Sequence, residues 1–232
     1  MLSLDDPVMD EISSNLTSPL PKRRLPSMHW VRVRYELGDY LKETQADGVT
    51  VLMWTYTHFR DAATDMYLNA RDKAPSYHKA AGEYFSDMWY GKEKEYGTTG
   101  KQQGNRYVMQ QKLFTEIQRK NGTEVVYNFR RLSELPYHLL HAQQMDLLKT
   151  ECLMNYAFLV AKVSALSVRA LLDDVQMAIA VEPSDMDLKM LSDTLHLAGP
   201  ALLADPRQLA SQLIGRLQEI LNQDKPLSPD PR

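Results

Sequence analysis

The feature that most constrains the fold is a series of apolar repeats with helix caps in the second half of the chain. From residue 128 onwards, apolar residues recur at intervals of three and four, the spacing that places them on one face of a helix. Helix starts are indicated by Pro136, the run at 152–166, and the caps Ser167, Ser184 and Asp205. These short helices, joined by tight turns, predict an α-helical superhelix or bundle.

The first half of the chain mixes helical and strand patterns. Residues 27–44 have apolar side chains at helical spacing and are predicted to form one helix. Asp47-Gly48 is a turn signal, and the alternating run at 49–54 predicts a strand covered on both faces. Helical patterns follow from Phe59 and after Pro75. We therefore expect a mainly α fold: a winged-helix-like domain with a short β-hairpin, followed by the helical superhelix or bundle.

This pattern predicts a division of the chain into five segments. The predicted segments are a winged-helix-like domain at 1–72, a connecting helix at 73–90, a polar flexible insertion at 91–127, a helical domain at 128–222 and a Pro-rich linker or tail at 223–232. The first of these is open to being a winged-helix-like domain truncated at its N-terminus. The insertion contains an Asn121-Gly122 turn whose flanks can be strands or helices. A start within a helical pattern and an end on a linker favour a piece of a longer protein.

Charge bears on the DNA-binding function that many winged helices have. The net charge is -3, and the helix that would enter the DNA groove, at 27–44, carries as many acidic as basic residues. Such a helix lacks the positive face that supplies most non-specific affinity for DNA. We therefore do not expect a nucleic-acid partner, although a winged-helix DNA-binding protein with a helical oligomerisation domain stays as an alternative.

The sequence contains no recognisable catalytic motif. The stretch 97–101 (GTTGK) has too few residues between its glycines for a phosphate-binding loop, and Gln102 stands where that loop has its magnesium-binding hydroxyl. His138 and His141 lack the further ligands of a metal site and are expected to be ordinary surface or helix-end residues. Cys152 has no nearby base, so a packing role is expected for it. We predict no enzyme activity, no catalytic residue and no metal site in this chain.

Composition also bears on the cellular compartment. The single cysteine fits a reducing environment, and no apolar run is long enough to span a membrane. We therefore expect a cytoplasmic protein without a membrane partner.

Three motifs carry a family resemblance. They are residues 30–34 (WVRVR), residues 37–41 (LGDYL) and residues 131–136 (RLSELP). With the sequence around them, they make the chain resemble the NACHT and WD-repeat domain-containing proteins, signal-transducing NTPases related to the apoptotic protease-activating factor. The resemblance covers nearly the whole chain outside 91–124. It implies a segment between the NACHT NTPase core and the WD-repeat propeller.

The resemblance also implies a regulatory role. In such families the winged helix packs on the NTPase core and often offers a His to the β-phosphate of bound ADP, within a pattern Trp-Tyr-His-x-x-Phe-Arg. Aligned on Trp54 and on Phe59-Arg60, that His falls on Tyr56, and His58 is the second candidate if the register differs. A two-residue shift would leave His58 on the same strand face.

The implied function is a non-catalytic module that couples the nucleotide state of the core to the propeller, its partners in cis. No cofactor is expected in this chain itself, and ATP or ADP would be bound by the neighbouring NTPase domain. An unrelated stand-alone helical scaffold adaptor is the other alternative.

Overall fold

The computed structural model of the chain describes residues 9, 11–12, 14–15, 25–46, 49–68, 74–92 and 108–223. These residues fall into two compact units, one ending at Gln144 and the other beginning at Met145. Helices predominate in the described residues, alongside two antiparallel β-hairpins. The predicted fold class, mainly α with a short β-hairpin followed by a helical region, is confirmed.

Some predicted features lie outside the described residues. They are the Asp47-Gly48 turn, the glycine-containing stretch 97–101 and the tail from residue 224. The five predicted segment boundaries, including the winged-helix-like domain at 1–72, stay a prediction.

The first unit contains a helix–hairpin–helix arrangement. Its elements are α1 (Ser27–Glu36), β1 (Leu41–Ala46), β2 (Val49–Trp54), α2 (Thr57–Ala63) and a π-helical turn (Thr64–Leu68). The prediction of one helix over 27–44 is wrong in its second half, because residues 41–46 pair with β2, Leu41 opposite Trp54 and Ala46 opposite Val49. The expectation that β2 is covered on both faces is not met either, since Met53 is exposed.

The rest of the first unit is a helix pair with a second hairpin. Its elements are α3 (Ala74–Phe85), β3 (Phe114–Arg119), β4 (Gly122–Tyr127) and α4 (Phe129–His141). The open question at Asn121-Gly122 is resolved as a strand pair. Gly122 has a backbone φ of 133°, a conformation that residues other than glycine rarely adopt. Helix α4 begins at Phe129, capped by the Asn128 side chain, so the prediction that Pro136 opens it is wrong.

Gln111 fastens the end of α3 to the beginning of α4. Its backbone N–H donates to Asp87 Oδ1 over 2.8 Å, and its side-chain amide donates to the Tyr84 hydroxyl over 3.1 Å. Its side-chain oxygen accepts from Asn128 Nδ2 at 3.3 Å, and its backbone carbonyl accepts from the Arg131 guanidinium. We call this group of five residues the Gln111 clasp.

The second unit is built from helices. They are α5 (Met145–Leu148), a π-helical turn (Lys149–Leu153), α6 (Tyr156–Ala165), α7 (Val168–Val181), α8 (Met186–Ala204), a 3₁₀ turn (Pro206–Gln208) and α9 (Leu209–Gln223). Ser167 caps α7 and Asp205 precedes the last helical segment, as predicted. The predicted helix at 152–166 is interrupted, because Asn155 caps a new helix there. The predicted cap Ser184 is wrong by one residue, since the Asp185 carboxylate accepts from Leu188 N–H over 3.0 Å.

The core of the second unit consists of apolar side chains at helical spacing. Fully buried members include Phe158, Leu171, Val175, Leu188 and Leu195. Complete burial of such a side chain contributes about 1.5–3 kcal/mol each to folding. Cys152 is buried as well, in agreement with its predicted packing role.

Candidate interaction surface

The predicted site residues lie where β2 gives way to α2. Tyr56 is the N-cap residue of α2, with extended backbone (φ −111°, ψ 133°), and His58 is the second residue of that helix. Strand β2 already ends at Trp54. The assumption that Tyr56 and His58 share one strand face is therefore wrong, because His58 follows the helical rather than the strand repeat.

An aromatic cluster connects α2 to the hairpin. The Phe59 ring lies with its centroid 5.0 Å from Tyr40 in an edge-to-face arrangement and 5.6 Å from Trp54 in a stacked one. The Tyr56 ring lies 6.3 Å from Phe59. Aromatic pairs of this kind contribute about 0.5–1.5 kcal/mol beyond area burial. Phe59 is thus the residue that positions Tyr56 and the start of α2 against the hairpin.

Tyr56 and His58 are both open to solvent. Tyr56 is 55% exposed, and its hydroxyl has no hydrogen-bond partner among the described residues. The His58 side chain is exposed as well. A phenol in this state can donate one neutral hydrogen bond to an incoming anionic group, and His58 can do so with a charge when it is protonated.

Helix α1 presents apolar side chains that none of the described residues covers. None of its residues is buried, and Val31 and Tyr35 are 59% and 83% exposed. Together with Gly38 and Asp39 they line a shallow open groove. Trp30, expected in the core, is also exposed. Contiguous exposed apolar surface of this kind marks interaction sites in folded proteins. We call Val31, Tyr35 and the aromatic cluster around Phe59 the α1–α2 surface.

Two arginines next to this surface, Arg34 and Arg60, are paired. The Arg34 guanidinium contacts the Glu43 carboxylate on the hairpin, and Arg60 contacts Asp61 at 2.9 Å. Each pair neutralises a charge that a DNA phosphate would need. This pairing agrees with the balanced charge of the sequence, and it weakens the DNA-binding alternative.

The histidines considered as metal ligands lie elsewhere in the first unit. His138 and His141 are on α4, where His78 of α3 joins them, a neighbour that sequence spacing did not reveal. In the part of the chain that the structure describes, no group of three or more His, Cys, Asp or Glu residues is placed to hold a metal ion. Across the same residues, no helix is both long enough and apolar enough to cross a membrane.

Comparison with known proteins gives relatives of one kind. The human NACHT domain- and WD repeat-containing protein 1 is 30% identical over 207 residues, which cover 87% of this chain and 13% of that protein. The mouse NACHT and WD repeat domain-containing protein 2 is 25% identical over 246 residues, covering 96% of this chain and 14% of that protein. No protein-family model matches the chain, and no solved structure gives a significant match.

These matches extend over most of the chain, so they include both units. The chain spans only 13–14% of the length of these two relatives. The resemblance seen in the motifs at 30–41 and 131–136 is therefore confirmed: the chain is a relative of the NACHT and WD repeat domain-containing proteins and corresponds to one segment of them.

Proposed function

We propose that this chain is a non-catalytic regulatory and interaction module within a NACHT and WD-repeat signalling NTPase. In this proposal it lies between the NTPase core and the WD-repeat propeller and couples the nucleotide state of the core to the propeller. The first unit contacts the core, and the helices of the second unit space or dock the propeller. Its partners are then the NACHT and WD-repeat domains in cis.

The observation that carries the proposal is the α1–α2 surface. A helix that buries none of its residues, with Tyr35 83% exposed, leaves apolar area in water that a neighbouring domain can cover. Burial of this area favours association by about 25 cal/mol for each Å² removed from water. The names of the relatives supply the candidate neighbours, a NACHT domain and WD repeats.

The nucleotide link rests on Tyr56. Tyr56 lies at the exposed start of α2, and its ring is positioned by Phe59. In the proposal the Tyr56 hydroxyl takes the place of the family's nucleotide-sensing His and donates to the β-phosphate of ADP bound by the core. His58, the second residue of α2, is the second candidate for the same contact.

Binding to the NTPase core tests the proposal. The purified chain is titrated onto the NACHT segment of its own full-length protein, with ADP or a non-hydrolysable ATP analogue bound. We expect Val31→Glu together with Tyr35→Glu to weaken binding at least tenfold, because both charges would be desolvated at the contact. Leu197→Glu is the matched control, since Leu197 is similarly exposed but lies on α8. Equal affinities of the double variant and the unchanged chain would refute the proposed contact.

The non-catalytic part has its own test. The purified chain should release phosphate from ATP no faster than a heat-inactivated sample, because it has no phosphate-binding motif of its own. Turnover well above that background, retained after further purification, would show that the chain is an enzyme.

A further inference from the structure

Three imidazole rings from two helices meet in the first unit. His78 of α3 lies with its ring centroid 5.2 Å from His138 and 5.1 Å from His141, both on α4. The Nδ1 atoms of His78 and His138 are 2.9 Å apart. The Tyr137 ring borders the group, at 4.2 Å from His141 and 5.6 Å from His78.

The short distance between the two Nδ1 atoms limits the protonation states that this contact can have. At 2.9 Å one nitrogen must carry a proton and the other must accept it through its lone pair. The Nε2 atom of His138 lies 3.4 Å from the Glu134 carboxylate and faces it as a donor. With both rings neutral, the assignment that satisfies both contacts is a chain: His78 Nδ1–H donates to His138 Nδ1, and His138 Nε2–H is directed at Glu134. When both rings are protonated, two N–H groups face each other and the hydrogen bond is lost.

Other charged groups around the cluster do not cancel this effect. On α4, Glu134 also pairs with Arg130 at 2.8 Å, so its negative charge is already shared. On α3, the Glu83 carboxylate accepts a hydrogen bond from the Trp89 indole N–H, so it already has a partner outside the cluster. Lys79 is exposed, so its charge is screened by water. His141 adds a second imidazole close to His78, and its protonation opposes that of His78.

The pKa of His78 agrees with this geometry, because its surroundings favour the neutral imidazole. Burial lowers the pKa of His78 below its ordinary value, and the neighbouring His138 and His141 lower it further. A lowered pKa in the folded state means that the unfolded chain binds the proton more readily. The contribution of neutral His78 to the stability of the folded state is therefore complete above pH 6.5, the ordinary pKa of His. It is lost as the pH falls through the lower pKa that His78 has in the folded state.

The cluster lies on the main contact between α3 and α4. The Leu139 side chain packs closely on the α3 backbone at Gly82, where an added Cβ would lie 3.2 Å from Leu139 Cδ2. The Phe85 ring stacks over His138 with centroids 6.1 Å apart. A change in the hydrogen bonding of His138 therefore affects the side chains that pack the two helices together.

We propose that His78, His138 and His141 form a pH-sensitive latch that stabilises the packing of α3 against α4 at neutral pH and weakens it on acidification. The closed state has a neutral His78 donating to a neutral His138. The open state has charged imidazoles that repel one another across the helix pair. The latch is independent of the contact with the NTPase core proposed above.

Hydrogen exchange of the full chain, corrected for the intrinsic pH dependence of exchange, tests the latch. Between pH 7.5 and 5.5 we expect exchange of the amides in α3 to rise about fivefold, the population change that corresponds to the loss of one hydrogen bond of about 1 kcal/mol. In His78→Gln this rise should disappear, because the Gln amide can still donate to His138 but cannot be protonated. His29→Gln, in the same unit but outside the cluster, should keep the full response.

Two results would overturn the latch. One is an equal rise of exchange in His78→Gln and in the unchanged chain. The other is normal titration of His78 in an NMR experiment on the imidazole protons of the unchanged chain, a measurement that stays decisive if the variant does not fold. A loss of α3 protection on adding a chelator at pH 7.5 would assign the cluster to a bound metal ion and would likewise exclude the latch.

Discussion

Lys162 of α6 places its amino group against the carboxylate of Asp174 on α7, within the core of the second unit. Lys162 is only 2% exposed and Asp174 is also buried. Both charges have left water, so each depends on the other for compensation. The pair joins two consecutive helices at a point where the surrounding positions are apolar.

Removing the cation of this pair is expected to destabilise the second unit strongly. Lys162→Met retains the volume of the stem but leaves the Asp174 carboxylate buried beside an apolar group. The expected cost is about 3–5 kcal/mol at pH 7, the usual penalty for breaking a buried pair. Urea unfolding followed by circular dichroism measures it.

A matched double variant separates charge from packing. In Lys162→Met with Asp174→Leu, both charges are gone, and stability should return to within about 1–2 kcal/mol of the unchanged chain, since apolar replacements of buried pairs are often tolerated. If the single variant is as stable as the unchanged chain, the pair has no role in folding.

Asp174 should also give the second unit a characteristic pH dependence. Burial raises the pKa of Asp174 to about 6, with Lys162 opposing the effect. The folded state binds this proton more readily than the unfolded chain does. The contribution of Asp174 to the free energy of unfolding is therefore greatest below the ordinary pKa of Asp, and it is lost as the pH rises through about 6. Relative to Asp174→Asn, the unchanged chain should lose on the order of 2–3 kcal/mol between pH 4 and 7. Parallel curves of unfolding free energy against pH for the two proteins would contradict this prediction.

The position of the α8 cap can be tested with two adjacent residues. Asp185→Ala removes the acceptor for Leu188 N–H and one partner of Lys149, so we expect a loss of about 1–2 kcal/mol in the free energy of unfolding. Ser184→Ala is the control and should change it by less than about 0.5 kcal/mol, because Ser184 is exposed and does not cap the helix. The reverse order of the two effects would restore Ser184 as the cap.

Tyr56 is expected to set how tightly the full-length protein holds ADP. Tyr56→Phe removes a neutral hydrogen bond of about 1 kcal/mol and should weaken ADP binding about fivefold. Tyr56→His restores the family residue, whose charged form should strengthen ADP binding up to about tenfold. Isothermal titration of the full-length protein measures both. His58→Gln serves as comparison: a larger effect there than in Tyr56→Phe would move the contact to His58.

The helical character of the second half was predicted because its signals are local, although the helix starts at Pro136, at 152–166 and at Ser184 were misplaced. Ser167 and Asp205 are caps as predicted, and apolar residues at helical spacing, such as Leu171 and Val175, are buried. A cap and an apolar repeat depend on residues within one or two turns, so they can be read without knowing the tertiary contacts.

Most of the first strand of the first hairpin was predicted to be helical because of its amino-acid composition. Residues 41–46 (LKETQA) include Leu, Lys, Glu, Gln and Ala, all good helix formers. Pairing with β2 supplies the backbone hydrogen bonds that decide the conformation, and this pairing is a tertiary effect. A similar override keeps Pro136 inside α4, where it is buried among core residues instead of starting the helix.

The histidine cluster could not be predicted from spacing. His138 and His141 stand three residues apart, but their partner His78 lies 60 residues before His138. Only the packing of α3 on α4 brings it within hydrogen-bond distance. The exposed state of Trp30 was missed for a related reason, because an apolar face looks the same in sequence whether its own chain covers it or leaves it open.

The Gln111 clasp has a consequence for how this segment can vary among proteins that share it. Asp87 and Gln111 are joined by a hydrogen bond, so these two positions are held together. Doubling the number of residues that connect two such positions costs only about 0.6 kcal/mol in closure entropy. Insertions and deletions between residues 92 and 108 should therefore leave the α3–α4 pair standing, which makes this stretch a tolerant place to add an epitope tag or a fluorescent reporter.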